Sequence, residues 1–530
     1  MSERKQFVVL NGNNLSLDEI IAIGTGEKLV ALDEGSLAKC KAGRDFLLNQ
    51  IKEGKVVYGV NSSYGSMCNK IINDEALELL QENLIRTHAA GLGEPLPHRV
   101  ALAAVAIRLN SLVKGYSGVS VELLKFMGEV INHQIAPYIP TRGSVGASGD
   151  LIHLAHLALM LIGQGQVYYK GQLMKAEEAL GLAGLKPFKL GAKEGISIIN
   201  GTSVMTAIAA FAVHNAKQAL AVECVAAAFA IEIFNSIDDF LDDTLHQVKP
   251  HSGQIKIAKI LKDLVAGSKN IVNRSVLHQA IREESTEQAA VFETSIFIQN
   301  VYSIRCTPQV LSPVYEAIEA AERIVELEAN STNDNPVIIS EENKILHGGN
   351  FHGQSIGFYM DSLAIALATL SNLSERRLNT LLDDHLNGEL PEYLISGIKG
   401  LDMGFMGAQY LATSTTAENR QLANPVSTNN ISSNASNQDV VSMGTVAARK
   451  VFTQATNLKY ILTMEILADL QAMFFKDPSK LGNELSKHYQ KLSAQFKVYD
   501  SSTVFHDMLV KFMDLLFDQD ILAIKKILSK

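Results

Sequence analysis

VMTAIAAFAVHNAKQALAVECVAAAFAIEIF, residues 204–234, is the stretch on which the reading of the fold turns. Alanine alternates with valine, isoleucine and phenylalanine on every side of a 3.6-residue wheel, and neither glycine nor proline interrupts it. A surface helix carries a polar face, whereas a helix that is apolar all round is buried. The spacing predicts a central buried helix over Gly201–Phe234. A bilayer would also accept a long apolar run, but His214, Asn215, Lys217 and Glu223 lie inside this one. Groups of that kind are costly at membrane depth, and a packed protein interior tolerates them better.

Working outward, the second half of the chain repeats the pattern. Met360, Leu363, Leu367, Leu370 and Leu373 step by three and four, as do Val451, Ala455, Leu458, Leu462, Ile466, Leu470 and Met473. That is the spacing of one buried helical face. A third segment, Leu311–Ala329, stops at Asn330-Ser331-Thr332-Asn333-Asp334-Asn335-Pro336, where Asx side chains compete for the backbone and proline removes a donor. These helices would pack as a long bundle. The first 200 residues hold short segments and two turn-rich stretches, Gly54–Cys68 and Ala136–Asp150. The fold class is therefore mainly α: a long central helical bundle with a smaller N-terminal region that carries loops. Pattern shifts place boundaries at 1–200, 201–475 and 476–530.

Composition excludes several classes. At 47% hydrophobic residues, the 530-residue chain is globular rather than disordered. A net charge of −9 without a basic stripe argues against nucleic-acid binding. Cys40, Cys68, Cys224 and Cys306 stand far apart with no CxxC pair, as befits a reducing compartment. Met1-Ser2-Glu3-Arg4-Lys5 leads into an apolar run too short for a signal peptide. The expectation is a large cytoplasmic protein that does not enter a membrane.

Four motifs carry possible chemistry. Gly143-Ser144-Val145-Gly146-Ala147-Ser148-Gly149-Asp150 lacks the GxGxxG order of a dinucleotide loop. Its plain reading is a flexible loop before a helix starting at Leu151, with Asp150 as N-cap. A tight turn could instead press the Gly149 nitrogen against the Ala147 carbonyl. Cyclisation and loss of the Ser148 hydroxyl would leave an electrophilic exocyclic methylidene. Glycine at the third position gives an unhindered nitrogen and the freedom to reach inward. Tyr58-Gly59-Val60-Asn61-Ser62-Ser63-Tyr64-Gly65 follows Val56-Val57, either as a strand end entering a turn or as a loop presenting Tyr58 as a base. Tyr302 and Arg305 share a helical face, and an arginine fork suits a carboxylate; a surface arginine stacked on a tyrosine is the alternative. Gly348-Gly349-Asn350-Phe351-His352-Gly353 could be an ordinary turn opening a helix. His153 and His156 have no third ligand, and Asn333-Asp334-Asn335 lacks calcium-loop spacing, so no metal is expected.

Taken together, these pieces resemble the aromatic amino-acid ammonia-lyases, which include histidine, phenylalanine and tyrosine ammonia-lyases and related aminomutases. The resemblance covers nearly the whole chain. It also runs through Asn200-Gly201-Thr202, Tyr302-Ser303-Ile304-Arg305-Cys306, Asn333-Asp334-Asn335-Pro336, Leu373-Ser374-Glu375-Arg376-Arg377 and Asn437-Gln438-Asp439. It implies the helical ammonia-lyase (fumarase-like) fold and a homotetramer whose active sites draw on more than one chain. It implies that Ala147, Ser148 and Gly149 form a 4-methylidene-imidazol-5-one electrophile, with no metal or dissociable cofactor. Tyr58 matches the family's base and Arg305 its carboxylate clamp; Tyr302 and Asn200 match residues around the electrophile. Glu418 matches a carboxylate near the substrate. Gln299, Phe351, His88, Gly65, Asn437 and Gln438 match further substrate-binding positions.

Two departures from the family's pattern are present. The family's usual loop after the catalytic tyrosine reads Asn-Thr-Gly-Phe-Gly, and here it reads Asn61-Ser62-Ser63-Tyr64-Gly65. Some aminomutases of the family also place serine at the position of Ser63. His153 stands where many members have proline. The family's ring selector falls at His88: phenylalanine enzymes place an apolar aromatic there, while tyrosine and histidine enzymes place histidine. Histidine enzymes usually read Gln-Glu-Asp where this chain reads Asn437-Gln438-Asp439. The combination points to L-tyrosine, giving p-coumarate and ammonia. Histidine and phenylalanine lyases, a 2,3-aminomutase and an inactive helical assembly protein are the other readings.

Overall fold

A computed structural model describes residues 6–284, 291–294 and 296–529. The Met1–Lys5 opening discussed above lies outside the described residues. The apolar tract at 204–234 forms one continuous helix, Ser203–Ile233. Only His214, Lys217 and Gln218 within it are partly exposed. The side-chain spacing elsewhere is equally literal. The helix Thr307–Ala329 ends where the Asx run begins, Gln354–Leu382 contains the Met360–Leu373 stripe, and Gly444–Phe474 contains the Val451–Met473 stripe. The helix Gln354–Leu382 is long and apolar enough to cross a membrane, but 67% of its apolar window is buried inside the protein. A buried face of this kind is what a core helix shows, each large apolar side chain contributing about 1.5–3 kcal/mol.

The chain forms two compact units. The first comprises the described residues of Met1–His214, Ala320–Ser362 and Pro425–Phe452. It contains the short elements of the N-terminal region, including a parallel pair Phe7–Leu10 with Leu29–Leu32 and the fully buried helix face of His98–Val113. Asn330 closes the Thr307–Ala329 helix by side-chain pairing with Leu15, accepting from its N–H at 2.9 Å and donating to its carbonyl at 2.8 Å. Val56-Val57 is not a strand end. The Asn61 amide accepts from Val57 N at 2.7 Å and donates to the Lys55 carbonyl at 2.9 Å, so it occupies the groups a neighbouring strand would need.

The second unit comprises the described residues of Asn215–Glu319, Leu363–Asn424 and Thr453–Lys530. Its interior holds an ionic cluster. Arg377 Nε lies 2.6 Å from Glu465 Oε1 and Arg377 Nη2 lies 2.7 Å from Glu223 Oε1, all three side chains being at most 1% exposed. Ser374, one helical turn earlier, donates to Glu465. Asp469 is buried beside them. One guanidinium cannot neutralise three carboxylates. Burial pushes Glu223 up to about 8 and raises Asp469 well above the carboxylate range. A carboxyl whose folded pKa exceeds its unfolded one contributes stability that is complete below the unfolded value and lost as pH rises through the folded one. The melting temperature is therefore expected to fall as pH climbs from about 4.5 towards 8. Glu223→Gln, which keeps the shape without the titration, is expected to flatten that slope. Parallel slopes for the two proteins in calorimetry would reject the assignment.

Candidate active site

The glycine-rich stretch lies in the first unit as a compact turn. Gly146 bridges to Gly149, and Gly149 in turn bridges to Gly201. Gly149 has φ +68° and no room for a side chain, since a Cβ there would meet the Gly201 carbonyl. Only glycine holds that conformation at that approach. Ser148 is addressed from two sides. Gln438 Nε2 donates to its hydroxyl at 2.8 Å, and Asn200 Nδ2 donates to its carbonyl oxygen at 3.1 Å.

Asp150 differs from its sequence reading. It stands at the N-cap position of Leu151–Leu161, but its carboxylate makes no capping bond to that helix. Instead it accepts from Ser144 Oγ at 3.0 Å, from Thr445 Oγ1, and from Met205 N at 2.7 Å. It thus pins the glycine turn to the first turn of the long apolar helix, where backbone N–H groups favour an anion. Burial nevertheless pushes it up to about 6. The sequence held a signal for this in the acidic residue directly after the tripeptide, but its partners lie 55 and 295 positions away.

Tyr58 reaches the same place from the turn described above. Its phenol oxygen accepts from Gly65 N at 2.9 Å, so the loop folds its own N–H donor onto the hydroxyl. The ring is flanked edge-on by Tyr64 at 6.4 Å and His347 at 6.5 Å between centroids. Tyr64 is tied to Gln81 Nε2 at 2.9 Å, and burial pushes its hydroxyl further above the ordinary tyrosine value. Two neighbouring tyrosines are thereby given different surroundings.

Tyr58, Tyr64, Ser148, Gly149 and Asn200 line one cavity of about 610 Å³ together with Gly65, His88, Phe351, Asn437 and Gln438. His88 ends the helix Leu77–His88, with Nδ1 2.9 Å from the Leu84 carbonyl. Gln438 belongs to a loop closed by Ser433, whose hydroxyl donates to Gln438 Oε1 at 3.0 Å. Within it Asn434, Ala435 and Ser436 all have positive φ, from 51° to 63°. Three successive non-glycine residues there are strained, and such strain collects at working sites. Asn83, Asn335 and Asn434, none of which was given an individual role from the sequence, also line the cavity.

The remaining candidates belong to the second unit. Tyr302 and Arg305 share the short helix Tyr302–Arg305, with the guanidinium 4.5 Å from the ring centroid and Arg305 Nε donating to the Asn300 carbonyl at 2.9 Å. Tyr302 is 70% exposed. Gln299 and Glu418 are exposed as well, the latter on Met406–Leu422. His153 and His156 are held neutral, each pushed down to about 4 by burial.

A family model described as aromatic amino acid lyase matches residues 15–494. A tyrosine 2,3-aminomutase of Myxococcus sp. (strain Mx-B0) is 40% identical over 506 residues, covering 96% of each chain. A histidine ammonia-lyase of Caldanaerobacter subterraneus subsp. tengcongensis is 38% identical and covers 91% of each. Among solved structures, tyrosine aminomutase from Streptomyces globisporus superposes with a TM-score of 0.93 at 34% identity, over 98% of both chains. With a match of this length joined to the Ser148 turn and Tyr58 in one cavity, the chain belongs to the aromatic amino acid lyase family. It is an enzyme of that lyase class, with the long-helix fold of its ammonia-lyase and aminomutase neighbours.

Proposed function

We propose that this enzyme removes ammonia from an aromatic L-amino acid, L-tyrosine first among them, to give trans-p-coumarate. The observation that carries the reading is the convergence of Ser148, Tyr58 and His88 on one cavity. The residues fit a methylidene-imidazolone made from Ala147-Ser148-Gly149, because Gly149 sits where no Cβ could and Ser148 has donors on both its oxygens. Once formed, that group supplies an electrophile able to activate a poor amine leaving group. The chain's own residues do the rest. Gln438 steadies the Ser148 hydroxyl and Asn200 its carbonyl. The Gly65 N–H stabilises negative charge on the Tyr58 oxygen, which suits Tyr58 to take the β-proton. Arg305, a planar fork, suits the substrate carboxylate. The reading includes a cytoplasmic homotetramer in which Gln299, Tyr302, Arg305 and Glu418 serve the site of a neighbouring copy. Supporting it, Phe297, Val301 and Tyr302 are 89%, 51% and 70% exposed on the single chain, an apolar edge around the arginine.

His88 supports a ring that carries a hydrogen-bond donor over a bare phenyl ring. A carbonyl only accepts, so His88 turns an Nδ1–H towards Leu84, and in the imidazole tautomer this selects, Nε2 is the acceptor. A phenol or imidazole N–H can satisfy that acceptor, and a bare phenyl ring cannot. His88→Phe is expected to lower the tyrosine-over-phenylalanine ratio of kcat/KM by about 10- to 100-fold, the scale of one buried hydrogen bond. An unchanged ratio would mean that His88 does not touch the ring.

The aminomutase reading is favoured by one feature, Ser63 in the cavity wall between Tyr58 and Gly65, and by the name of the 40%-identical Myxococcus relative. Product analysis with tyrosine, histidine and phenylalanine separately tests both. A β-amino acid as main product would replace the lyase with the mutase, and urocanate forming fastest would overturn tyrosine.

A further inference from the structure

Behind the Gly146–Gly149 turn stands a wall that the elimination itself does not use. Gly149 is pressed on the Gly201 carbonyl, and Asp150 N donates to that same oxygen at 2.7 Å. Gly201 is backed in turn, for a Cβ on it would overlap Arg108 Nη1 and Asn333 Oδ1. Arg108 comes from the helix His98–Val113 and is 0% exposed. Its Nη1 donates to Asn333 Oδ1 at 2.6 Å. Asn333 Nδ2 donates to Thr202 Oγ1 at 2.8 Å, and Thr202 donates to the Glu328 carboxylate. Gly201 and Thr202 are therefore held by buried side chains from outside the glycine turn.

The grip is held at a cost. Arg108 Nε and Nη2 have no protein partner, although buried polar groups are almost always paired. Asp334 lends its charge, yet burial still pushes Arg108 down to about 10. An apolar residue of similar volume would avoid that penalty. Such local violations of packing economy are expected where a site needs a particular shape. What the guanidinium provides is a flat, stiff plate at van der Waals range of a glycine, a shape that neither lysine nor methionine reproduces.

We propose that Arg108 is a positioning residue for the chain's own cyclisation, backing Gly201 so that Gly201 holds Gly149 against Ala147. The proposal rests on the reading that Ala147-Ser148-Gly149 dehydrates. In that reaction the Gly149 nitrogen bonds to the Ala147 carbonyl carbon. The carbonyl oxygen leaves as water with the Gly149 and Ser148 amide protons, and the Ser148 hydroxyl leaves as a second water with the Ser148 Cα hydrogen. No oxidant or other reactant is required. The rate depends on how closely nitrogen and carbon are held, and a displacement of about 1 Å costs roughly 100-fold.

The test is intact mass at fixed times after cell-free synthesis, read on the folded fraction, for wild type, Arg108→Met and Arg108→Lys. Wild type should become two waters lighter. Both variants should keep the full chain mass at times when wild type is complete, with dehydration slowed at least tenfold although circular dichroism and melting report a folded protein. If Arg108→Met does not fold, Arg108→Lys, which keeps the charge beside Asp334, carries the comparison. A folded variant that loses both waters at the wild-type rate would overturn the role of Arg108 alone. Wild type that keeps its full mass would sink the dehydration reading, and this assignment with it.

Discussion

Ser148→Ala is expected to yield a folded protein with turnover lowered on the order of 10³-fold or more, the scale on which removing a covalent catalytic group is felt. Alanine has no hydroxyl to lose, so the proposed electrophile cannot form, whatever the geometry of the turn. The structural consequence is small by comparison. The lost contact is the 2.8 Å bond from Gln438 Nε2 to Ser148 Oγ, and Ser148 is only half-buried, so water can replace it. A net hydrogen bond contributes about 1 kcal/mol at most in such a place. The backbone of the turn depends on Gly149 and on the Asn200 bond to the Ser148 carbonyl, neither of which the substitution touches. Two measurements check this. Intact mass should equal the plain chain in the variant and be two waters lighter in wild type, and the melting temperature should move little. A variant of normal mass and stability that still turned over tyrosine at near wild-type rate would remove the electrophile from the mechanism.

The long helices were legible because their evidence is local. A face repeating every three or four residues, and the Asx run after Ala329, need no knowledge of any partner. Asp150 was not legible, because an acidic residue before a helix fits a cap by sequence and only Thr445 and Met205, far along the chain, reveal its other use. Val56-Val57 failed for a similar reason: the Asn61 side chain took the backbone groups that a strand would have shared. Leu373-Ser374-Glu375-Arg376-Arg377 stood out as a motif without chemistry. Its meaning is structural, since Ser374 and Arg377 converge on Glu465, about ninety positions away. The grouping of Tyr58, Ser148 and His88 could be expected from resemblance, but the donors to Tyr58 and Ser148, which are Gly65 N, Gln438 Nε2 and Asn200 Nδ2, are set by loop conformations that no local pattern spells out.

Tyr58→Phe separates the base from the electrophile. The ring should stay where it is, because its edge-on neighbours Tyr64 and His347 contact the ring and not the hydroxyl, and because the Val57–Asn61 turn is held by Asn61. What disappears is one oxygen, the acceptor of the Gly65 N–H. If that oxygen takes the β-proton, kcat should fall by about 10²- to 10⁴-fold, the usual contribution of a positioned acid or base. KM should change little, since a phenyl ring still fills the wall. The proposed cyclisation needs the Gly149 nitrogen and the Ser148 hydroxyl but not Tyr58, so the variant should still be two waters lighter than its sequence. This pairing of full dehydration with lost turnover distinguishes a missing base from a damaged turn, in which both would fail together. Tyr64, although 6.4 Å away, is a poor substitute because Gln81 ties it down and burial raises its pKa. A Tyr58→Phe enzyme that kept most of its rate would show that the proton leaves by another route.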